Sequence, residues 1–196
     1  MQKFTQLTAI ACPLPLSGID TDQLIPARFI NRQRSEGFAA YLLHDLRKEP
    51  GFPLNDPLRA GARIIVARRN FGGGSSREAA VYALQDYGIA CVIAPSFGDI
   101  FASNAVGNGL LPAVATENDV ETMLDTLSAG TTHLTVDLTD CRISTSERAW
   151  SFSIDPVWRE KLLNGWDDLD FTRSLQPAID AFLVNDRTQR PWAYPM

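Results

Sequence analysis

Cysteine and histidine are scarce in this chain, and their placement excludes several chemistries. The three cysteines, Cys12, Cys91 and Cys141, stand far apart with no Cys-x-x-Cys pair. Neither a disulfide framework nor an iron–sulfur or zinc site is therefore expected in the chain itself. The two histidines, His44 and His133, are isolated and read as structural or surface residues. No apolar run reaches the length of about 18 residues needed to cross a bilayer, and the N-terminus shows no apolar leader segment. A cytoplasmic protein without a membrane segment is the expectation. An excess of basic charge is also missing. The net charge is −5, from 18 basic and 23 acidic residues, which speaks against a nucleic-acid surface. A local basic pocket stays open, since Arg28, Arg32, Arg34, Arg68, Arg69 and Arg77 could converge on one. With 196 residues and 45% hydrophobic content, the chain has enough apolar material for one domain with a sizeable core. No internal repeat and no second domain are marked.

Glycine is concentrated at the most informative stretch, Ile64 to Leu84. An apolar run, Ile64 to Ala67, is followed by Asn70-Phe71-Gly72-Gly73-Gly74-Ser75-Ser76-Arg77-Glu78. The pattern predicts strand, tight turn and helix, with Ser75 or Ser76 as N-cap and Glu78 closing a capping box from Ser75. Free N–H groups at such a turn can hold an anion, and Arg77 adds a two-point grip for a carboxylate or phosphate. The alternative is a plain glycine turn before a capped helix. The spacing is neither a dinucleotide fingerprint nor a P-loop nor a nucleophile elbow.

The remaining elements follow from apolar pattern and breakers. Phe4 to Ile10 reads as a strand, then Cys12 to Gly18 breaks it with two prolines. Asp20-Thr21-Asp22 is a concentrated polar spot. It reads either as an Asx-type cap for a helix starting near Leu24, or as a site where Asp20 or Asp22 orients Arg77 or meets substrate. Phe38 to Leu46 reads as helical, and Lys48 to Pro57 as a long loop able to form a lip. A helix to Tyr87 stops at Gly88. Ile89 to Ala94 is a buried strand, followed by a turn, a helix near Ile100 to Ala105 and a strand from Leu110 to Val114. Function-bearing loops are expected after the strands' C-terminal ends. Glu117 to Leu127 is an amphipathic helix. Three short strands follow within 134–154, then a helix from Pro156 to Asn164. Asp167, Asp168 and Asp170 read as caps, Leu175 to Val184 as a last helix, and Asn185 to Met196 as an aromatic tail that could pack on a partner.

Several stretches together carry a resemblance. They are Pro13 to Phe29 with its Asp20-Thr21-Asp22, Asn70 to Glu78, Val92 to Phe101, Asn108 to Pro112, and the Phe152-x-Ile154-Asp155 and Leu163-Asn164-Gly165 segments. In this order they closely resemble the swivelling domain of the aconitase superfamily, and more narrowly the small-subunit family of 3-isopropylmalate dehydratase. The resemblance implies an α/β fold, a three-layer β/β/α swivelling domain over 1–196 with a C-terminal helical extension and tail. It implies a large partner subunit that carries a [4Fe–4S] cluster, which this chain does not bind. The implied chemistry is dehydration and rehydration of a small malate-type dicarboxylate. Carried over by motif, Ser75 is the base, Arg77 grips a carboxylate and Ser76 helps position it. Asp20, Thr21, Asp22 and Gly74 line the same face, and Phe29 to Ala39 is the region that chooses the alkyl group. The chain also departs from the family pattern. Gly73 stands for a usual cysteine, Ala79 for a histidine, Arg69 for a glutamate and Gly98 for a common alanine, and Val106 differs too. A paralogue acting on a citramalate-type or dimethylmalate-type acid, a non-catalytic partner of the large subunit, and a free-standing di-acid binder are the alternatives.

Overall fold

The computed structural model describes residues 1–194, with Arg34 described without its side chain. Four strands form a parallel array: β1 (Gln6–Leu14), buried mainly in its second half, the wholly buried β2 (Ile64–Ala67) and β3 (Cys91–Ala94), and the mostly buried β4 (Leu111–Val114). Three more are antiparallel: β5 (His133–Asp137), β6 (Arg142–Ser144) and β7 (Ala149–Ser151). The order is β4-β3-β2-β1-β5-β6-β7, so β1 joins the two halves. Ser153, just past β7, exchanges two backbone hydrogen bonds with Val114 (3.0 and 2.7 Å). The sheet thus curls until its two edges meet.

Side-chain alternation divides the interior into two cores. Ala9, Ala11, Ile64, Val66, Cys91 and Ile93 face the antiparallel half and helix α4 (Glu117–Ser128). The other faces of the same strands, Cys12, Leu14, Ile65, Ala67, Val92 and Ala94, meet helices α2 (Glu78–Tyr87) and α3 (Asp99–Gly107). The short helix α1 (Thr21–Leu24) also lies on this side. The layers are antiparallel strands, parallel strands, and helices with helical turns. Continuous apolar runs in β2 and β3 match burial on both faces.

The segment from 27 to 59 differs from the expected helix. It winds through short 3₁₀ turns, including Ala39–Tyr41 and Leu46–Lys48, while Phe38, Leu42 and Leu43 are still buried. Gly37 and Leu43 both take positive φ, which no α-helix accommodates, so burial is achieved without helical periodicity. The 48–57 loop is held by buried Phe52 and Leu54. The Tyr87 hydroxyl, at the C-terminal end of α2, donates to the Leu54 carbonyl (3.3 Å). The loop therefore lies at the end of α2 remote from the glycine turn and forms no lip there.

Buried Arg59 ties α4 to the sheet. Its guanidinium donates to the carbonyls of Ala11 (3.0 Å), Thr131 (2.9 Å) and Leu127 (2.6 Å), which also satisfies the C-terminal end of α4. Helix α5 (Pro156–Asn164) starts on Asp155, whose carboxylate accepts from Val157 and Trp158, and stops at Gly165 in the left-handed region. Helices α6 (Asp168–Ser174) and α7 (Gln176–Gln189) follow. Asp167 caps α6 in a capping box with Asp170, as read from sequence. Helix α7 runs five residues past the expected end and takes up half of the predicted tail. Phe182, Val184 and Trp192 remain exposed. Residues 195–196 of that tail lie outside the described residues.

Candidate functional site

Three loops meet beyond the C-terminal ends of β1, β2 and β3, because these strands are neighbours in one parallel array. The turn 70–77 sits in the middle. Its Gly72 N–H donates to the Ile19 carbonyl (2.7 Å), and its Gly73 carbonyl accepts from the Thr21 N–H (3.0 Å). On the other side Phe71 and the 96–98 loop exchange bonds: Phe71 N–H to the Ser96 carbonyl (3.0 Å) and Gly98 N–H to the Phe71 carbonyl (2.9 Å). The turn is thus clamped on both flanks as a short continuation of the sheet.

Glycine is required where these loops touch. Gly72 has φ +72°, and a Cβ there would stand 2.2 Å from the Phe101 ring. Gly74 has φ +89°, which swings the chain outward so that Ser75 and Ser76 are exposed. Asn70 occupies the left-handed region at φ 60°, and its N–H donates to Ser96 Oγ (2.9 Å). Among the described residues, the N–H groups of Gly74, Ser75 and Ser76 donate to no protein acceptor.

The expected capping box is not formed. Helix α2 begins at Glu78 with Arg77 as N-cap and without a side-chain cap bond. Glu78 instead accepts from Asn108 Nδ2 (2.9 Å), a residue at the end of α3. Ser75 is held by its backbone: its carbonyl accepts from the buried Thr21 hydroxyl (2.7 Å). Its own hydroxyl is left to the solvent-facing side.

The helix expected to start near Leu24 instead starts at Thr21 and ends at Leu24. Asp20 caps α1, accepting from the Gln23 N–H (2.7 Å) in a reciprocal capping box. Asp22 pairs with Arg77 through Nη1. The Arg77 side chain is 21% exposed and Asp22 53%, so the guanidinium lies at the foot of the cleft with its carboxylate partner outside. Among the described residues no other acceptor takes the Arg77 Nε or Nη2. One edge of the fork is therefore available for a second carboxylate.

These groups border a cleft of about 170 Å³ lined by Thr21, Gly74, Ser75, Arg77, Asp99 and Ile100, among others. Asp20, Asp22 and Ser76 are adjacent to it but do not line it. No residue of 29–39 lines it either. Of the six arginines, Arg77 lines this cleft, and the described side chains of Arg28, Arg32, Arg68 and Arg69 do not; the Arg34 side chain lies outside what is described. Arg28 pairs with Asp45, Arg32 with Glu36, and Arg68 forms a two-point bond with Glu121 (2.7 and 3.0 Å). Arg68 and Arg69 border a separate hollow. Arg28, Lys48 and His44 together hold the Asp45 carboxyl well below the usual carboxylate range. Phe101, Ser96 and Asn108 were given no individual role from sequence; the available signal was their place in the Val92 to Phe101 and Asn108 to Pro112 stretches that carry the resemblance.

The comparisons with known proteins concern nearly the whole chain. Residues 1–118 match the aconitase C-terminal domain family. The 3-isopropylmalate dehydratase small subunit of Rhodospirillum centenum is 44% identical over 201 residues, covering 98% of this chain and 99% of its own length. This chain belongs to the 3-isopropylmalate dehydratase small-subunit family. It is thus a subunit of a hydro-lyase of the isopropylmalate dehydratase type. Another member of the family, from Acidothermus cellulolyticus, is 47% identical over 192 residues, with 97% of this chain and 98% of that protein covered. A crystal structure of 3-isopropylmalate dehydratase from Methanocaldococcus jannaschii superposes with a TM-score of 0.67. It covers 90% of this chain and 98% of that one at 23% identity, which speaks for the fold. The fold is the α/β swivelling domain of the aconitase superfamily.

Cluster ligation does not fit this small subunit. Cys12 and Cys91 are fully buried, and burial pushes the Cys12 thiol up to about 12 and the Cys91 thiol further. Among the described residues no group of three His, Cys, Asp or Glu stands where it could hold a metal ion.

Proposed function

We propose that this chain works with a large cluster-bearing subunit to dehydrate and rehydrate a 2-alkylmalate such as 3-isopropylmalate, in leucine biosynthesis. The observation that carries this reading is the Gly74–Arg77 turn. The Ser75 hydroxyl, the uncommitted N–H groups of Gly74 and Ser75 and one open edge of the Arg77 guanidinium belong to residues lining the same small cleft, and the uncommitted Ser76 N–H is adjacent to it. Family membership supplies the reaction class, and the cleft supplies groups suited to it.

Arg77 grips one substrate carboxylate, and Asp22 keeps the guanidinium in a single orientation for that contact. Ser75 Oγ, as the alkoxide, takes the proton from the carbon next to the one bearing the hydroxyl. The electron pair of that C–H bond becomes the double bond, and hydroxide departs. Water returned to the neighbouring carbon gives the isomer. A serine alkoxide is unstable in water, so the free N–H groups of the turn must favour it, as preorganised donors do for developing anions. Thr21 fixes where those donors point by holding the Ser75 carbonyl. The partner subunit's cluster would supply the Lewis acid for the departing hydroxyl.

Reconstitution of the two subunits tests the reading. Ser75→Ala should abolish turnover and solvent-proton exchange at the substrate carbon while assembly persists. Arg77→Lys should lower kcat/KM by roughly 100-fold or more, because a point charge replaces a two-point contact. Normal proton exchange in Ser75→Ala removes serine as the base, and normal kcat/KM in Arg77→Lys removes the grip.

A further inference from the structure

A second hollow abuts the cleft on the far side of Asp99, which lines both. It measures about 270 Å³ and is mostly apolar, formed by Phe97, Ala102, Pro112, Val114, Ile154 and Trp158. It opens where the β3–α3 loop, the end of β4 and the start of α5 come together. Two large apolar residues adjoin it and are left in solvent: Ile100, 54% exposed, and Val157, 42% exposed. The charged groups at its rim are differently engaged: Asp155 is spent capping α5, whereas Asp99 is exposed in the first turn of α3. The substrate's carboxylates are provided for on the Arg77 side of Asp99, so this apolar recess is left over from the chemistry.

We propose that this hollow receives an apolar side chain of the large subunit and seats the Ser75 turn against it. The inference rests on the two-chain reading above. A reaction divided between two chains requires the cleft to lie inside their interface. A stable interface buries about 800 Å² on each partner, a patch of roughly 16 Å radius. A recess that shares a wall with the cleft falls within such a patch when the cleft lies near its centre. Energetic anchors in interfaces are typically buried aromatic-lined pockets near the middle of the patch, and Trp158 with Phe97 furnishes one. The room available suits one leucine, methionine or phenylalanine side chain.

The test is titration calorimetry of the full chain with its own organism's large subunit. Trp158→Ala and Ile154→Ser are compared with the unmodified chain, and circular dichroism with thermal melting checks that each is folded. The expected result is a dissociation constant raised by roughly 30-fold for Trp158→Ala and at least fivefold for Ile154→Ser. Should Trp158→Ala not fold, Ile154→Ser, at a half-buried position, decides alone. Folded variants that bind within about twofold of the unmodified chain overturn the inference and leave the two-chain reading intact. An unmodified pair that does not associate overturns both. Sedimentation of the chain alone closes the remaining possibility: a dimer of this chain that Trp158→Ala dissociates assigns the hollow to a second copy and also overturns it.

Discussion

Replacing Gly98 by alanine probes how tightly the 70–77 turn is seated. The backbone at Gly98 (φ −67°, ψ 133°) suits any residue, so the substitution is not resisted by its own torsions. The obstacle is the neighbouring loop. An added Cβ would stand 2.6 Å from the Gly72 carbonyl oxygen and 3.0 Å from Gly73 Cα, against an ordinary contact of 3.4 Å or more. Both obstacles are backbone, and that backbone is pinned by the Phe71 to Ser96 and Gly98 to Phe71 hydrogen bonds. The turn must retreat by several tenths of an ångström. Overpacking of this kind costs about 1–3 kcal/mol, and the reduced freedom of the unfolded chain returns about 0.4–1 kcal/mol. The net loss is about 0.5–2 kcal/mol, or roughly 2–8 °C in Tm for a chain of this size. Displacing Ser75 by a comparable amount should cost about 10–100-fold in kcat. Gly107→Ala, on the same helix with no heavy atom within 4 Å, should instead raise Tm slightly. The assays are thermal unfolding of the chain and turnover of the reconstituted pair. A Gly98→Ala chain with unchanged Tm and turnover would refute the close-packed turn.

Two further outcomes follow from buried groups elsewhere. Arg59→Met should destabilise the chain by about 3 kcal/mol or more, since three carbonyls lose a donor at about 1 kcal/mol or more each; urea unfolding measures it, and a loss below about 1 kcal/mol would remove the clamp on α4. In the folded chain only Cys141 should react promptly with iodoacetamide at neutral pH, because Cys12 and Cys91 are buried with thiols raised far above their ordinary 9.0. The unfolded chain sheds those protons near pH 9 while folded Cys12 keeps its own up to about 12. The stability they confer is therefore complete below pH 9 and is lost as pH rises through that window. Prompt modification of Cys12 in native protein, seen by mass spectrometry, would contradict its burial.

Much of the architecture was legible because local chemistry and tertiary context agree. Helix α5 was read at its observed bounds, since Asp155-Pro156 starts a helix and Gly165 stops one wherever they occur. Helix α2 is legible from Arg77 to Tyr87, one residue from its observed start, but its cap is not. Ser75 and Glu78 have the spacing of a capping box, but the neighbouring loops draw the Ser75 carbonyl to Thr21 and Glu78 to Asn108. The 38–46 stretch has helical apolar spacing, and the positive φ of Leu43 breaks it; a single leucine carries no local sign of that torsion. The arginines could be counted but not located, because Arg28, Arg32 and Arg68 each pair with a carboxylate away from the cleft and Arg77 pairs with Asp22.

Sequence alone determined which short segments turn, which strands are buried on both faces, and that Gly72 to Arg77 forms a tight glycine-dependent turn ahead of a helix. Those properties depend on torsional freedom and side-chain alternation, which are set by residues near one another along the chain. Tertiary structure alone decided that Asp22 holds Arg77, that Thr21 aims Ser75, and that Phe101 and Gly98 crowd the turn from the other side. The order of strands in the sheet brings these loops together across 20 to 55 residues of sequence, and neither torsion nor periodicity encodes that order locally.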